Sequence, residues 1–252
     1  IFLPKGYRRM TKLSINVNKI ALLRNSRGRN FPDVVEHVEK LITLGVKGIT
    51  VHPRPDERHV TRQDVYDISN CLRSYSDVEF NIEGYPSQHF LNLIKDVAPD
   101  QCTLVPDEPG QLTSDHGWDI AANRSLLLDV NTMLREKNIR SSLFLDPIPD
   151  HVNEADEVGS NRIELYTEEY ASKFGTEGEL ACWQTYAETA FRASELNIGV
   201  NAGHDLDLSN LARFLEIGSV LEVSIGHALV VESIQSGLDF VVAKYLDIAA
   251  GN

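Results

Sequence analysis

Eight short runs rich in apolar residues recur along the chain, separated by stretches whose apolar residues have helical spacing. The runs cover residues 13–17, 48–51, 78–82, 101–105, 141–145, 162–165, 198–200 and 221–225. Eight strand–helix repeats in a chain of 252 residues predict an α/β fold, a single-domain (β/α)8 TIM barrel.

In that fold the carboxyl ends of the strands line one mouth, so polar residues at those ends indicate an active site. Nearly every predicted strand carries such a residue at or just beyond its end. They are Asn16, His52, Glu83, Asp107, Asp146, Glu164, His204 and Gly226 followed by His227. The pattern therefore predicts both a fold and the location of the chemistry.

The segments between the strands carry start and stop signals for helices. The pattern predicts a polar loop over residues 24–30, a helix from near Asp33 to Gly45, and helices that begin after Thr61 and near Ser87. It also predicts a loop over residues 170–178, whose length and two glycines make it a candidate lid. One last helix over residues 228–250 is expected to close the barrel.

The composition favours one domain. Hydrophobic residues make up 42% of the chain, enough for a substantial core, and no Pro/Gly/Ser-rich linker divides it. Met10, shortly before the first predicted strand, is a candidate natural start. We therefore expect residues 1–11 to be an N-terminal extension, not native before Met10, and residues 12–252 to be the catalytic barrel domain.

The chain is acidic, with 37 Asp and Glu residues against 24 Lys and Arg residues. Nucleic acids and anionic membrane surfaces require a basic footprint, so neither is expected as a partner. No apolar run approaches the ~20 residues of a membrane span. The three cysteines, Cys71, Cys102 and Cys182, show no CxxC spacing. This predicts neither disulfides nor a zinc site, and favours a cytoplasmic location.

The loop after the second predicted strand contains His52, Arg54, Arg58 and His59. Histidine can move a proton near neutral pH, and arginine offers a fixed fork for phosphate oxygens. A charged loop exposed to solvent would have the same composition. Its position at the end of a barrel strand favours proton transfer and phosphate binding.

Two carboxylates, Glu83 and Glu164, stand at the ends of the third and sixth predicted strands. Partial desolvation at a barrel mouth raises the pKa of a carboxylate toward values useful for a general base. A structural glutamate held in a salt bridge is the alternative for both positions. That alternative has more weight for Glu164 than for Glu83.

Small residues stand beside two further histidines. Ala202 and Gly203 precede His204, and Gly226 precedes His227 where the last helix opens. Small residues let a ligand approach the backbone, and the N–H groups of a helix N terminus bind anions. The loops after strands seven and eight are the usual phosphate site of this fold, so we expect the backbone at 226–227 to bind phosphate.

Several common motifs are missing from the sequence. No HxH or HExxH spacing suggests a metal site. The patterns GxxxxGK[ST], GxGxxG and GxSxG are also absent. Their absence argues against nucleoside triphosphates, dinucleotides and serine hydrolase chemistry.

Several segments, in this order, resemble one family, the pyridoxine 5′-phosphate synthases of the deoxyxylulose-phosphate-dependent route to vitamin B6. The similarity runs from about Lys12 to the last helix. It is carried by LLRNSRG at 22–28, GITVHPR at 48–54, DERH at 56–59, Glu83, LVP at 104–106, NAGH at 201–204 and IGH at 225–227.

The resemblance implies a TIM-barrel transferase that joins 3-amino-2-oxopropyl phosphate to 1-deoxy-D-xylulose 5-phosphate. The products would be pyridoxine 5′-phosphate, phosphate and water. It also implies that no metal or organic cofactor takes part, and that the chains form a homo-octamer built from dimers. The partners would then be two small phosphorylated substrates and other copies of the chain.

The same resemblance implies roles for individual residues. His52 and Glu83 would be general bases, His204 the general acid, and Glu164 would assist the condensation. Arg54, His59 and Thr113 would hold deoxyxylulose phosphate, Asn16 the amino-ketone, and Gly226 and His227 the other phosphate. The full set of substrate-binding candidates is Asn16, Asn18, Lys19, Arg27, Arg54, His59, Thr113, Asp205, Gly226 and His227.

Two positions depart from the commonest pattern of the family. After the first strand Asn-x-Asp-His is usual, whereas this chain has Asn16-Val17-Asn18-Lys19. An amide and an ammonium thus replace a carboxylate and an imidazole, although Lys19 can still bind an oxyanion. Asp205 stands where glycine usually follows the histidine. We expect both departures to affect affinity rather than reaction class.

Two alternatives remain open. One is another phosphosugar-handling barrel enzyme, such as an isomerase or an aldolase. A Schiff-base aldolase needs a lysine inside the barrel, and Lys19 is the only candidate. The other is a non-catalytic phosphate-binding barrel, which would not need the acid–base groups of His52, Glu83 and His204 together.

Overall fold

The computed structural model describes residues 10–107 and 114–251. Eight parallel strands form a closed barrel in sequence order, with β1 paired to β8. The strands are β1 (Lys12–Asn16), β2 (Gly48–Val51), β3 (Glu79–Gly84), β4 (Gln101–Leu104), β5 (Arg140–Leu145), β6 (Arg162–Tyr166), β7 (Gly199–Gly203) and β8 (Val220–Ile225). The predicted barrel is confirmed, and every predicted strand overlaps an observed one.

Helices surround the barrel on its outside. They are α1 (Asn18–Asn25), α2 (Val34–Thr43), α3 (Arg62–Leu72), α4 (Gln88–Val97), α5 (Ile120–Glu136), α6 (Pro149–Glu157), α7 (Glu168–Lys173), α8 (Glu179–Glu195), α9 (Leu211–Phe214), α10 (His227–Ser236) and α11 (Leu238–Ala250). A 3-10 turn, Leu215–Ile217, follows α9. Within the described ranges, none of the helices combines the length and apolar character needed to cross a bilayer.

Side-chain caps start three of these helices where the sequence predicts them. Asp33 accepts hydrogen bonds from the backbone N–H groups of the first turn of α2. Thr61 and Asp64 form a capping box at the start of α3, and Ser87 caps α4. Each cap pairs N–H groups that have no partner within the helix, so the cap residue fixes where the helix begins.

The predicted loop over residues 24–30 is wrong at its start. Arg24 and Asn25 are the last residues of α1, which begins directly after β1. The apolar residues Leu22 and Leu23 of this helix are partly exposed, so they form no buried stripe that the sequence pattern could reveal.

The candidate lid over residues 170–178 is also shorter than predicted. Its first residues belong to α7, and Tyr170 there is fully buried. The Tyr170 hydroxyl donates to Asn210 O at 2.9 Å, and its ring packs against Phe214. Only residues 174–178 connect α7 to α8, so the part of this segment that could act as a lid is small.

The single last helix predicted over residues 228–250 is two helices. They meet at Gly237, whose φ is 87°. That left-handed backbone conformation suits glycine and cannot continue an α-helix. The break separates α10, which reaches the barrel mouth, from α11, whose Tyr245 is fully buried.

The N terminus of the barrel is tied to its last helix and last strand. Thr11 N donates to Ala249 O at 3.1 Å, and Thr11 Oγ1 donates to Val220 O at 2.9 Å. Residues 1–9 of the predicted extension lie outside the described residues. The bonds of Thr11 place this residue with the barrel.

The interior of the barrel is polar, which the apolar runs do not predict. Inward side chains from strands that are not neighbours meet in a charged layer. Gln101 of β4 donates to Glu222 of β8 at 3.5 Å, and Arg162 of β6 pairs with Glu222 at 3.2 Å. Glu79 of β3 pairs with Arg140 of β5 at 2.5 Å. Because these charges are paired, their burial is tolerated.

A second polar layer lies between these ion pairs and the carboxyl ends of the strands. Ser14 Oγ and Thr50 Oγ1 are 2.7 Å apart, and Asn81 Nδ2 donates to Thr50 Oγ1 at 3.4 Å. Thr103 Oγ1 donates to Asn81 Oδ1 at 3.0 Å. Four strands thus present hydrogen-bonded side chains directly below the barrel mouth.

The apolar core lies between the barrel and its helices. Alternate residues on each strand point outward, among them Ile15, Ile49, Ile82 and Leu104, all without exposed surface. Barrels of this kind more commonly fill their interior with Val, Ile and Leu. In this protein the apolar core lies between the sheet and the helices. The inside of the barrel holds polar side chains instead.

Candidate active site

A cavity of about 280 Å³ opens at the carboxyl ends of the strands. Among the described residues, every predicted site residue except Arg27 lines it: Asn16, Asn18, Lys19, His52, Arg54, His59, Glu83, Glu164, His204, Asp205, Gly226 and His227. Residues from β1, β2, β3, β6, β7 and β8 therefore converge on one space, where the strand-end pattern predicts the chemistry.

One predicted site residue is not brought to the cavity, and a second cannot be placed because the described residues do not include it. Arg27 lies in the exposed turn after α1 and does not line the cavity of its own chain. Thr113 lies outside the described residues. The substrate-binding roles of both residues remain predictions.

Asn16, His52 and Glu83 form the first cluster of the cavity. Asn16 Nδ2 donates to Glu83 Oε2 at 3.4 Å, and His52 Nδ1 lies 3.8 Å from the same oxygen. His52 and Glu83 are both buried. The cluster places an imidazole and a carboxyl side by side, close enough to handle protons at one reacting centre.

Asn18 holds the backbone of His52. Its Oδ1 accepts from His52 N at 3.0 Å, and its Nδ2 donates to His52 O at 3.5 Å. Asn18 N in turn donates to Asn16 Oδ1 at 3.0 Å. The amide that replaces the usual carboxylate of the family therefore contacts both backbone groups of the histidine.

Burial has opposite effects on the two groups of the first cluster. It lowers the pKa of His52 well below its ordinary value, and the charge of Arg54 lowers it further. It raises the pKa of Glu83 well above its ordinary value, and Glu164 and Asp107 add to this effect. At neutral pH the imidazole is uncharged and can accept a proton, whereas Glu83 holds its proton more tightly than an exposed carboxyl would.

Glu164 lies below this cluster, inside the barrel. Burial, assisted by the charge of Glu222, raises the pKa of Glu164 to about 8, and a hydrogen bond from Thr103 opposes the rise. A Cβ at Gly203 would lie only 2.7 Å from Glu164 Oε1. Because Gly203 on β7 has no side chain, there is room for the Glu164 carboxyl group.

His204 stands beyond the end of β7 in an unusual backbone conformation. Its φ is 91°, and the φ of Asp205 is 56°. The imidazole meets the Tyr166 ring edge-on, with centroids 5.1 Å apart, and the Phe144 ring at 6.2 Å. Its Nδ1 lies 3.5 Å from Asp205 Oδ2, and this contact lowers the pKa of Asp205. The candidate acid is thus flanked by two rings and a carboxylate.

The loop after β2 and helix α1 each contribute a positively charged side chain to the cavity. Arg54 Nη2 pairs with Asp107 Oδ2 at 2.7 Å, and Lys19 lines the same cavity. Burial, assisted by the charges of Lys19 and Arg58, lowers the pKa of His59 to about 4. His59 is therefore neutral at pH 7, and the guanidinium and ammonium supply the charge that would attract a phosphate.

The N terminus of α10 opens onto the same cavity. Gly226, His227 and Ala228 line it. A Cβ at Gly226 would lie 3.1 Å from Asn16 Cβ, so this position is tight against β1. The first N–H groups of a helix lack partners within the helix, and together they form a site for an anion.

Three residues of the site receive no role from the sequence pattern. Asp107 stands at the end of a predicted strand, and in the structure it pairs with Arg54. Ser114 Oγ donates to Asp107 Oδ2 at 2.9 Å, and both Ser114 and Phe144 line the site region. Neither of these two carries a sequence signal, because their importance depends on contacts between distant segments.

Metal binding and cysteine nucleophilic chemistry have little support among the described residues. Among the residues that the structure describes, no three His, Cys, Asp or Glu side chains lie close enough to hold a metal ion. Cys102 is buried in β4, and burial raises the pKa of its thiol. It is therefore poorly suited to act as a nucleophile.

Comparison with known proteins places this site in a family. A sequence profile described as "Pyridoxal phosphate biosynthesis protein PdxJ" matches residues 13–251. The pyridoxine 5′-phosphate synthase of Bacteroides thetaiotaomicron is 48% identical over 237 residues, which cover 94% of this chain and 98% of that protein. Its counterpart in Leptospira biflexa is 43% identical over 252 residues, with coverages of 95% and 97%.

Solved structures share the fold at low sequence identity. A mutant tryptophan synthase alpha-subunit from Pyrococcus furiosus superposes with a TM-score of 0.63 at 15% identity, covering 98% of this chain and 100% of that one. Phosphoribosyl anthranilate isomerase from Thermotoga maritima gives 0.60 at 13% identity, with coverages of 96% and 100%. These likenesses show the barrel alone. The profile match and the relatives above 40% identity show that the chain belongs to the PdxJ family.

Proposed function

We propose that the protein is a pyridoxine 5′-phosphate synthase. It joins 3-amino-2-oxopropyl phosphate to 1-deoxy-D-xylulose 5-phosphate and forms pyridoxine 5′-phosphate, phosphate and water. The observation that carries the proposal is the buried His52–Glu83 pair, which shares one cavity with His204 and with groups suited to phosphate.

Forming and dehydrating a carbinolamine, then closing a ring by aldol-type attack, requires several proton transfers. In our proposal the neutral His52 imidazole accepts a proton first, and Glu83 exchanges protons beside it. His204 donates a proton to the departing oxygen, and Glu164 assists from below. Positioned acid–base groups of this kind contribute about 10²–10⁴-fold each to the rate.

Two groups of residues would hold the two phosphates. Arg54, Lys19 and His59 form one, and the N terminus of α10 at Gly226 forms the other. Holding two dianionic substrates side by side converts a bimolecular encounter into a reaction within one complex. Asn16 lies on β1, between the strands that lead to these groups, and is placed to contact the amino-ketone.

Variants of the acid–base groups test this proposal. We expect Glu83→Gln and His204→Ala to lower kcat by about 100-fold or more, with the Kd of each substrate, measured by calorimetry, changed little. Glu188→Gln on the exposed face of α8 is the matched control and should behave as wild type. Unchanged turnover in both site variants would refute the assignment of the site.

An aldolase mechanism through Lys19 makes a different prediction. A Schiff base between Lys19 and a substrate carbonyl forms with loss of water, and borohydride would reduce it to a stable secondary amine. The protein would then gain the mass of the substrate less one oxygen atom. Our proposal expects no such adduct by mass spectrometry, because acid–base groups alone carry the reaction. A trapped adduct on Lys19 would favour the aldolase alternative.

We also propose that the chains assemble into a homo-octamer built from dimers. Large apolar side chains on the outer surface support self-association: Phe31, Ile234 and Phe240 are 79%, 78% and 55% exposed. Light scattering should give a mass about eight times the 28.2 kDa of one chain. The mass of a single chain at working concentration would contradict the assembly.

The cytoplasm is the proposed location of the enzyme. Cys71, Cys102 and Cys182 are all free thiols, which suits a reducing compartment. Fractionation of the source cells should recover the protein with cytoplasmic markers. Recovery with extracytoplasmic or membrane fractions would contradict this location.

A further inference from the structure

Thr167, directly after β6, makes an unusual set of hydrogen bonds. It is fully buried and does not line the cavity. Its Oγ1 lies 2.7 Å from Gly203 O and 2.5 Å from His204 O, and its N donates to Gly203 O at 3.0 Å. One hydroxyl therefore contacts two successive carbonyl groups of the segment that carries the candidate acid.

Two successive carbonyls cannot face one donor in a regular strand, where they point in opposite directions. Both turn toward Thr167 because the backbone bends at His204, whose φ is 91°. A non-glycine residue in this region is uncommon and costs energy, so it persists only where surrounding contacts fix it. The Thr167 hydroxyl is such a contact.

Thr167 does not perform the usual task of a threonine in its position. It precedes α7, where a threonine oxygen commonly accepts a hydrogen bond from the first turn of the helix. No such bond is present, and α7 begins without a side-chain cap. The hydroxyl is directed to β7 instead, so its contribution is to the His204 segment rather than to its own helix.

A second contact supports the same bend. Asn210 Nδ2 donates to Asp205 O at 3.1 Å, and Asn210 O accepts from the Tyr170 hydroxyl. The next carbonyl along the chain is thus also held by a buried side chain. Tyr166, next to Thr167, packs its ring against the imidazole at an interplanar angle of 77°, so one segment contacts both the backbone and the ring of His204.

We propose that Thr167 is a positioning residue for His204. Without touching substrate, its hydroxyl holds the left-handed bend that aims the imidazole into the cavity. The proposal rests on the function proposed above, in which His204 donates a proton. Its effect on the conformation of His204 can also be measured without turnover.

The test compares two substitutions at Thr167 with a matched control. Thr167→Val keeps the shape and removes the hydroxyl, whereas Thr167→Ser keeps the hydroxyl. Thr189→Val removes another fully buried hydroxyl, which donates to Thr185 O within α8. We expect Thr167→Val to lower kcat about 10–100-fold, as displacement of a catalytic group does, with both KM values within about twofold of wild type. Thr167→Ser and Thr189→Val should retain kcat.

A double substitution separates positioning from a general loss of structure. If Thr167 acts through His204, Thr167→Val should cause no further loss in the His204→Ala background. A loss of the same size in both backgrounds, unchanged kcat in Thr167→Val, or an equal loss in Thr189→Val would overturn the proposal.

An NMR measurement keeps the test independent of the assay. The ring signal of His204, assigned by its disappearance in His204→Ala, should shift in Thr167→Val and keep its position in Thr167→Ser and Thr189→Val. An unmoved signal would refute the positioning role even if the wild-type protein formed no product. Absence of product in wild type would instead refute the proposed function.

Discussion

The Arg54 guanidinium and the Asp107 carboxylate form an ion pair 2.7 Å long, although both side chains are more than nine-tenths buried. The two residues follow β2 and β4, so the pair bridges the mouth over β3. It also lies close to Glu83, whose pKa Asp107 raises and Arg54 lowers. The pair therefore places the Arg54 guanidinium in the cavity. The effects of its two charges on the pKa of Glu83 act in opposite directions.

Removal of the Asp107 carboxylate should destabilise the protein. Because one partner of a buried ion pair is lost, we expect Asp107→Ala to lower the free energy of unfolding by about 3–5 kcal/mol. Inorganic phosphate should restore part of this loss by supplying a negative charge near Arg54. Urea unfolding with and without phosphate measures both effects.

The matched control for this experiment is Asp239→Ala. Asp239 is exposed and pairs with Lys40 at 2.9 Å on the surface, so its removal should cost less than about 1 kcal/mol. Equal losses for the two variants would show that burial of the Arg54–Asp107 pair has no special weight.

Glu164 should make stability depend on pH. Its folded pKa is about 8, above the ordinary value of 4.5, so the folded state binds more protons than the unfolded state between these values. Stability should fall as pH rises through this window, by up to about 1.4 kcal/mol per pH unit. Glu164→Gln removes this dependence, so the variant should gain stability over wild type from pH 5 to pH 8. Chemical unfolding at several pH values provides the measurement, and a constant difference would be inconsistent with a buried, protonated Glu164.

His59 should remain neutral through the physiological range. With its pKa lowered to about 4, its ring signals in NMR should not move between pH 6 and pH 8. A phosphate bound beside it would favour the protonated form, so added inorganic phosphate should move the titration upward. A midpoint near 6.5 in the protein alone would show that burial and the charge of Lys19 do not control this residue.

Substitutions at Lys19 and Asp205 test whether these departures from the family pattern affect substrate affinity. Lys19→Met should raise the KM of the substrate held near Arg54 about tenfold, as expected for loss of one charged hydrogen bond, with kcat unchanged. Lys19→His and Asp205→Gly restore the usual residues. Glycine suits the φ of 56° at position 205, so the fold should be kept. If neither restoration changes KM or kcat, the departures have no kinetic effect.

The strands could be predicted where local pattern and tertiary structure agree. The second strand has the predicted bounds, Gly48–Val51, and His52 after it lies in the cavity. The seventh strand is Gly199–Gly203, whereas the apolar pattern predicts residues 198–200. Its later residues have weak strand propensity, and pairing with β6 and β8 keeps them extended.

Side-chain partners could not be predicted, because they join segments far apart in the chain. Asn18 holds His52 across 34 positions, and Thr167 holds His204 across 37. The sequence shows that both histidines end strands, which places them at the mouth. It does not show which hydroxyl or amide fixes each one, since that depends on the closed barrel.

The most direct test of the proposed reaction is incubation of the purified protein with both phosphorylated substrates. Pyridoxine 5′-phosphate would be identified by its mass and absorbance, and released phosphate by colorimetry. We predict that product and phosphate appear in equal amounts, and only when both substrates are present. Binding of each substrate without formation of product would contradict the account and favour a barrel that holds phosphates but does not catalyse the condensation.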